Sequence, residues 1–346
     1  MRNKSPDSIA SVERLEDLLS EPSDAVVSTL SRAEGDILLL GVGGKMGPSL
    51  ARMAKRASDA AGISRRVIGV SRFTDAHQEA KLRSHQIETI RADLLDENEI
   101  ARLPDAPNVI FMTGMKFGSS AQEAMTWAMN VHLPSLVCKR YPQSKLIAFS
   151  TGNVYGLTPV VSGGSRETDA LNPVGEYAMS CLGRERIFEY FSRTAQTPMA
   201  LIRLNYASEL RYGVLVDLAQ RVWNGEAIDL AMGHLNAIWL ADANALALLA
   251  LGHVSSPPFV LNVAGPELLS VRHVCEQFAR LMSKPANFVG TESSTALLSN
   301  AQQSFQKFGP PRVSAEQMIH WTAGWVMRGQ PTLGKPTHFE SRSGVF

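Results

Sequence analysis

Three observations in this 346-residue chain predict an α/β protein: a doubly wound parallel sheet of the Rossmann type, a smaller C-terminal substrate lobe and an N-terminal helical extension. The first is the run Asp36-Ile37-Leu38-Leu39-Leu40, followed at once by the glycine turn Gly41-Val42-Gly43-Gly44-Lys45-Met46-Gly47. The second is the recurrence of short apolar runs with helical stretches between most of them, an alternation that builds a parallel sheet covered on both faces. The third is the loosening of that rhythm beyond Asn205.

In chain order, residues 9–32 predict two short amphipathic helices. Leu15, Leu18 and Leu19 share one stripe, and Pro22-Ser23-Asp24 reads as a stop followed by a fresh N-cap. This extension is expected to pack beside the sheet, with a partner-binding arm as the alternative. The run to Leu40 is the first strand, and a helix follows the glycine turn from about Pro48 to Ala61. Further strands are expected at Val67–Val70, Ile87–Arg91, Val109–Thr113 and Leu146–Thr151, with Met199–Leu204 extending the sheet. Helices near 213–224, 242–252, 270–283 and 314–326 alternate with turns at Gly265-Pro266 and Gly309-Pro310-Pro311. The expected division is an extension over 1–33, a dinucleotide-binding domain over 34–205, and a substrate lobe over 206–346 whose residues 236–265 return to the sheet.

Composition narrows the function. With 45% hydrophobic residues, 19% charged residues and a net charge of +1, the chain reads as globular and offers no field suited to nucleic acid or an anionic membrane. Cys138, Cys181 and Cys275 are too scattered for a disulfide framework, and no Cys/His cluster suggests zinc, so no metal is expected. The N-terminus mixes charges such as Arg2, Lys4 and Asp7 and has no apolar core of a secretory signal. The longest apolar run, Ala245–Leu251, is far short of the roughly 20 residues needed to span a bilayer. A cytoplasmic protein acting on a small molecule is the expectation.

Gly41, Gly44 and Gly47 stand three apart between a strand and a helix. Glycines there permit a tight turn and let backbone N–H groups approach a pyrophosphate, while the helix turns its positive end towards that charge. The second strand ends Val70-Ser71-Arg72, with no carboxylate before Asp75. A hydroxyl and a guanidinium suit a ribose 2′-phosphate, so NADP is preferred, with NAD as the alternative. Asp93-Leu94 closes the third strand, where the carboxylate either accepts from an adenine amino group or caps a helix.

Taken together, the glycine turn, Asp93-Leu94, Asn130-Val131, Thr151-Gly-Asn-Val-Tyr155-Gly156 and Pro173-x-x-x-Tyr177 resemble the extended short-chain dehydrogenases/reductases, the NAD-dependent epimerase/dehydratase family, over roughly residues 36–265. The resemblance implies roles. Thr151 would hold the substrate oxygen, Tyr177 would move a proton to or from it beside the nicotinamide, and Asn130 would support the site. Gly43, Lys45 and Met46 would join the three glycines around the pyrophosphate. Met112-Thr113-Gly114 would pass under the nicotinamide ribose, and Asn205 would open the substrate lobe. A homodimer through the helices bearing Asn130 and Tyr177 is likewise implied.

One position departs from the family. Its pattern is Tyr-x-x-x-Lys, whereas this chain has Tyr177-Ala-Met-Ser-Cys181. Positions four apart share a helix face, so the lysine would sit beside the tyrosine and lower its pKa from about 10. Three accounts remain open: Lys116 or Arg184 supplies the cation, the oxidised nicotinamide's own charge suffices, or catalysis has been lost. Cys181 itself reads as a buried core thiol. Nucleotide-sugar members also carry an arginine where this chain has Asn236, which points to a smaller, carbohydrate-like substrate. Asp242 reads as the N-cap of the helix that follows it. His234, His320 and His338 are scattered and suggest no catalytic role. The expected function is oxidoreductase or epimerase chemistry at a hydroxyl or keto group, with a nicotinamide-sensing regulatory protein on the same fold as the alternative.

Overall fold

A computed structural model describes residues 6, 8–116 and 118–345; Arg2, Lys4 and Asp7 lie outside them. Two helices open the chain, α1 (Val12–Leu19) and α2 (Asp24–Arg32), their first turns capped by the Ser11 and Ser23 hydroxyls. They are followed by β1 (Ile37–Leu40), α3 (Gly47–Ala60), β2 (Val67–Ser71), α4 (Ala76–Ser84), β3 (Glu88–Arg91), α5 (Glu97–Ala101) and β4 (Asn108–Phe111). Next come α6 (Glu123–Trp127), a π-helical turn (Ala128–His132), α7 (Leu133–Arg140), β5 (Lys145–Thr151), α8 (Gly175–Ala195) and β6 (Met199–Leu204). The remainder holds α9 (Val214–Asn224), α10 (Leu240–Leu249), β7 (Phe259–Val263), α11 (Val271–Met282), α12 (Gln302–Phe308) and α13 (Ala315–Met327).

The main sheet runs β7-β6-β5-β4-β1-β2-β3, with every pair parallel. The expected doubly wound sheet is present, with β7 as a seventh strand beside β6. β1 shows why the apolar run has no polar alternation. Ile37 and Leu39 join the core under α1, α2, α3 and α10, whereas Leu38 and Leu40 join the opposite core with residues of α7 and α8. Each face is covered, so every position of the strand must be apolar.

The N-terminal extension is built into the first of these cores. Ile9, Leu15, Leu19, Val26 and Leu30 are fully buried. Arg52 of α3 pairs with Asp17, Arg56 donates to the Asp17 carbonyl at 2.7 Å, and Trp321 Nε1 donates to the Pro6 carbonyl at 2.9 Å. It is a packed layer, not a free arm.

Asp242 does not cap a helix. α10 starts at Leu240 after Trp239, and the buried Asp242 carboxylate accepts from the Arg312 and Val313 N–H groups at 3.0 and 3.1 Å and pairs with the Arg312 side chain. It pins the loop before α13 and leaves the start of α10 to the preceding extended backbone. No helix among the described residues is long and apolar enough to cross a membrane.

Candidate active site

The glycine turn leaves β1 at Gly41, whose φ of +91° only glycine adopts without strain. The Gly41 and Val42 N–H groups both reach the Val70 carbonyl, at 2.9 and 3.2 Å, and lock the turn to β2. A side chain at Gly41 would meet Thr113 Oγ1 at 2.6 Å, and one at Gly47 would overlap the Val42 carbonyl. Around Gly44 only ordinary contact is made, at 3.5 Å to the Gly41 oxygen. That glycine leaves room above the turn for something outside the chain. α3 begins there with Pro48 in its first turn and no side-chain cap. Its first N–H groups, including those near Met46 and Gly47, suit an anion.

Flanking this turn are the other expected contacts. Ser71 abuts the second glycine, since a Cβ at Gly43 would lie 2.5 Å from Ser71 Oγ, and Gln78 Nε2 donates to the Gly43 carbonyl at 3.1 Å. Arg72 is exposed at the end of β2. A cavity of about 590 Å³ lies alongside, lined by Gly43, Gly44 and Lys45, by Arg52, His77 and Lys81, and by the carboxylates of Glu16 and Asp75. Asp93 is exposed and its Oδ1 accepts from the Leu95 N–H at 3.0 Å; Asp96, not Asp93, caps α5. Leu94 is buried beneath it. At the end of β4, Met112 N–H bonds the Leu40 carbonyl at 3.0 Å, and Thr113 Oγ1 is buried without a hydrogen-bond partner against the glycine turn. An uncapped helix start, a glycine cradle and an orphaned hydroxyl fit a dinucleotide.

Asn130 sits in the π-helical turn, where the widened helix turns its amide inward. It clamps the loop after β4: Nδ2 donates to the Met115 carbonyl at 3.0 Å and to Ser180 Oγ at 2.9 Å, and Oδ1 accepts from the Met115 N–H at 2.9 Å and from Arg184. Thr151 closes β5, and its hydroxyl accepts from the Asn153 N–H and side-chain amide at 3.2 and 2.9 Å. Tyr177 stands in the first turn of α8. A cavity of about 300 Å³ is lined by Lys45, Met46, Thr113, Gly114, Thr151, Tyr177 and Asn205 together. Burial pushes the Tyr177 phenol up, and the neighbouring Cys181 adds to that; Arg184 and a hydrogen bond with Thr151 pull it down.

Cys181 is fully buried against Val154, Tyr155 and Tyr177, and burial raises its thiol as well, as expected of a core cysteine. Lys116 donates to the Thr337 carbonyl at 3.2 Å and lies 5.9 Å from the Tyr177 ring centre; burial lowers its ammonium to about 8. Lys45 sits 3.4 Å above the Tyr212 ring, lowered to about 7 by burial and by Lys116 and Lys335 nearby. Beneath the site Glu185 and Arg203 form a buried pair at 2.7 Å, tied further to Ser150 and Tyr155. Asn236 is buried and its side-chain Oδ1 accepts from the Ser299 N–H at 3.0 Å; the position offers no cation to a diphosphate. His234, His320 and His338 do not line the cavity.

The part that sequence reasoning left without a role is the C-terminal segment. Leu333 N–H bonds the Arg211 carbonyl at 2.9 Å, Thr337 gives two hydrogen bonds to Asp217 at 2.8 and 2.6 Å, and Phe339 is buried beside Tyr206. This strap roofs the cavity, bringing Thr337 to its wall and Lys335 towards Lys45. Its only signal in the sequence was the stretch Gly334–Glu340, outside the recognised pattern.

The sequence profile described as the NAD dependent epimerase/dehydratase family matches residues 37–220. No curated protein sequence matches the chain. Among solved structures, the chain is similar to dTDP-glucose 4,6-dehydratase from Bacillus anthracis in complex with NAD, at 17% identity and a TM-score of 0.71, covering 85% of this chain and 97% of that one. It is similar to UDP-glucose 4-epimerase from Thermotoga maritima with UDP-glucose, at 16% identity, TM-score 0.70 and coverage of 85% and 99%. UDP-glucuronic acid 4-epimerase from Bacillus cereus, in complex with UDP-glucuronic acid and NAD, gives the same identity, TM-score and coverage.

Proposed function

The chain belongs to the NAD-dependent epimerase/dehydratase family, and from that premise we propose that it performs dinucleotide-dependent redox chemistry at a hydroxyl or keto carbon of a sugar-like small molecule. The observation that supports this most is the meeting of Thr151, Tyr177, the β4 end and the glycine turn around one cavity of about 300 Å³. The dinucleotide, when bound, supplies hydride exchange with the carbon that bears the reacting oxygen. The chain's own residues do the rest. N–H groups at the start of α3 would hold the pyrophosphate, and the unpartnered Thr113 hydroxyl at the end of β4 would be available to the rest of the dinucleotide. Thr151 donates to the substrate oxygen, and Tyr177 takes its proton on oxidation and returns it on reduction. Asn130 keeps the loop after β4 in register with α8, and the strap sheds water from the cavity.

NADP is the preferred cofactor, supported by Ser71 beside Gly43 and by the exposed Arg72 just beyond β2. The sugar nucleotides bound by the similar structures make a carbohydrate substrate the first class to try. The engaged Asn236 favours one without a diphosphate handle. A homodimer through α6 and α8 is consistent with exposed Met125, Trp127, Met179 and Tyr190 on those helices.

The test is NADP+ reduction over a panel of sugars, wild type against Tyr177→Phe. Removing the phenol should lower turnover by about 10²- to 10⁴-fold with nearly unchanged dinucleotide affinity. Equal turnover in the variant would sink the tyrosine role. A second reading, a dinucleotide sensor, is favoured by Cys181 in place of lysine. It predicts tight dinucleotide binding with no turnover on any sugar.

A further inference from the structure

Arg184 lies seven residues beyond Tyr177 on α8, with Cys181 between them at the fourth position, so the three share one helix face. Long helical side chains lean towards the helix N-terminus. The small Cys181 leaves space for that lean, and the guanidinium runs back to Gly114, where a Cβ would overlap its Nη2. Arg184 is 6% exposed. Nη1 donates to the Phe149 carbonyl at 2.9 Å and Nη2 to Asn130 Oδ1, while Nε is buried with no hydrogen-bond partner. Among the described residues no carboxylate forms an ion pair with it; the adjacent Glu185 is committed to Arg203. A buried cation without a counter-ion is costly to keep. Its two polar ties are to neutral carbonyls, so its charge remains available to whatever lies in the cavity it lines with Thr151 and Tyr177.

We propose that Arg184 is a positioning residue that takes over the electrostatic task of the absent lysine, reaching back over Cys181 to favour the Tyr177 phenolate. The proposal rests on Tyr177 being the acid/base of the preceding subsection. Lys116, the other candidate, is shared: its ammonium bonds the Thr337 carbonyl of the strap and lies between Cys181 and Asp217 of α9, and burial lowers it to about 8. The groups facing Tyr177 are then Cys181 and Arg184 from its own helix, Lys116 from the loop after β4, and the Thr151 hydroxyl from the end of β5. Of these, Arg184 combines a guanidinium, burial and a place fixed by two hydrogen bonds.

The test is a pH titration of the NADP+-loaded full chain labelled with ¹³Cζ-tyrosine, the Tyr177 resonance being assigned by its loss in Tyr177→Phe. In Arg184→Gln, which keeps one amide donor but removes the charge, the Tyr177 midpoint should lie about one pH unit or more above wild type. Arg184→Lys should recover most of that difference. The Cys181→Lys variant keeps Arg184 and reads the same question from the family's own position, its fold checked by circular dichroism: with the cation already supplied, its midpoint should fall by less than about half a pH unit. The proposal is overturned if Arg184→Gln titrates like wild type, if wild-type Tyr177 shows no ionisation up to pH 11, or if Cys181→Lys lowers the midpoint by a full unit or more. Loss of turnover in Tyr177→Phe alongside any of these results would leave the functional reading standing. Unchanged turnover in that variant would remove the functional reading itself.

Discussion

Replacing Gly41 with alanine attacks the proposed dinucleotide platform where the chain leaves β1. At φ +91° an L-residue is strained by about 1–2 kcal/mol. The new methyl would also sit 2.6 Å from Thr113 Oγ1, 3.0 Å from the Thr113 nitrogen and 3.1 Å from its Cα, overpacking worth about 1–3 kcal/mol. The turn sheds this strain by moving off β4, and a bound pyrophosphate must force it back. The combined cost of about 2–5 kcal/mol corresponds to a loss of dinucleotide affinity between about 30-fold and several thousand-fold. The assay is an NADPH fluorescence titration of Gly41→Ala, with folding checked by circular dichroism. The double variant Gly41→Ala/Thr113→Ala removes the hydroxyl contact but keeps the strained φ and the backbone contacts. It should recover only part of the loss, about tenfold at most. A folded Gly41→Ala that binds NADPH as tightly as wild type would refute the placing of the pyrophosphate on this turn.

Two further outcomes are expected. Glu185→Gln strands the buried Arg203 guanidinium and should lower stability by about 3–5 kcal/mol in urea unfolding; an unchanged midpoint would mean that the pair contributes little. Lys45, lowered to about 7 by burial and its lysine neighbours, is charged below that pH and neutral above it in the free protein. An anion binds the charged form, so dinucleotide affinity should weaken as pH rises from 6 to 8.5, by at most about tenfold per unit. Lys45→Met should flatten that dependence, and an unaltered profile in the variant would exclude Lys45 as its source.

The sheet was legible because its strands are buried on both faces and therefore written as unbroken apolar runs, as at Ile37–Leu40 and Met199–Leu204. The glycine turn was legible for a related reason: backbone that must pass within contact of Val42 and Thr113 excludes any side chain. Less readable were features set by partners remote in sequence. Asp242 precedes a helical run and looks like a cap, yet its carboxylate answers Arg312 and Val313, some 70 residues away. The Thr337–Asp217 and Lys116–Thr337 contacts that roof the cavity join segments 120 and 221 residues apart, with no local pattern to announce them. Arg184 was nameable from its helical spacing. That no carboxylate among the described residues pairs with it is visible only once Glu185 is seen to face Arg203.

The most direct test of dinucleotide-dependent chemistry in this chain is a side-by-side fluorescence titration of the purified protein with NADPH and NADH. Saturable binding of both, tighter for NADPH, is the predicted result. Preference for NADH would overturn the 2′-phosphate reading of Ser71 and Arg72 and leave the fold and site standing. Binding of neither would contradict the proposed enzyme and the sensor alike.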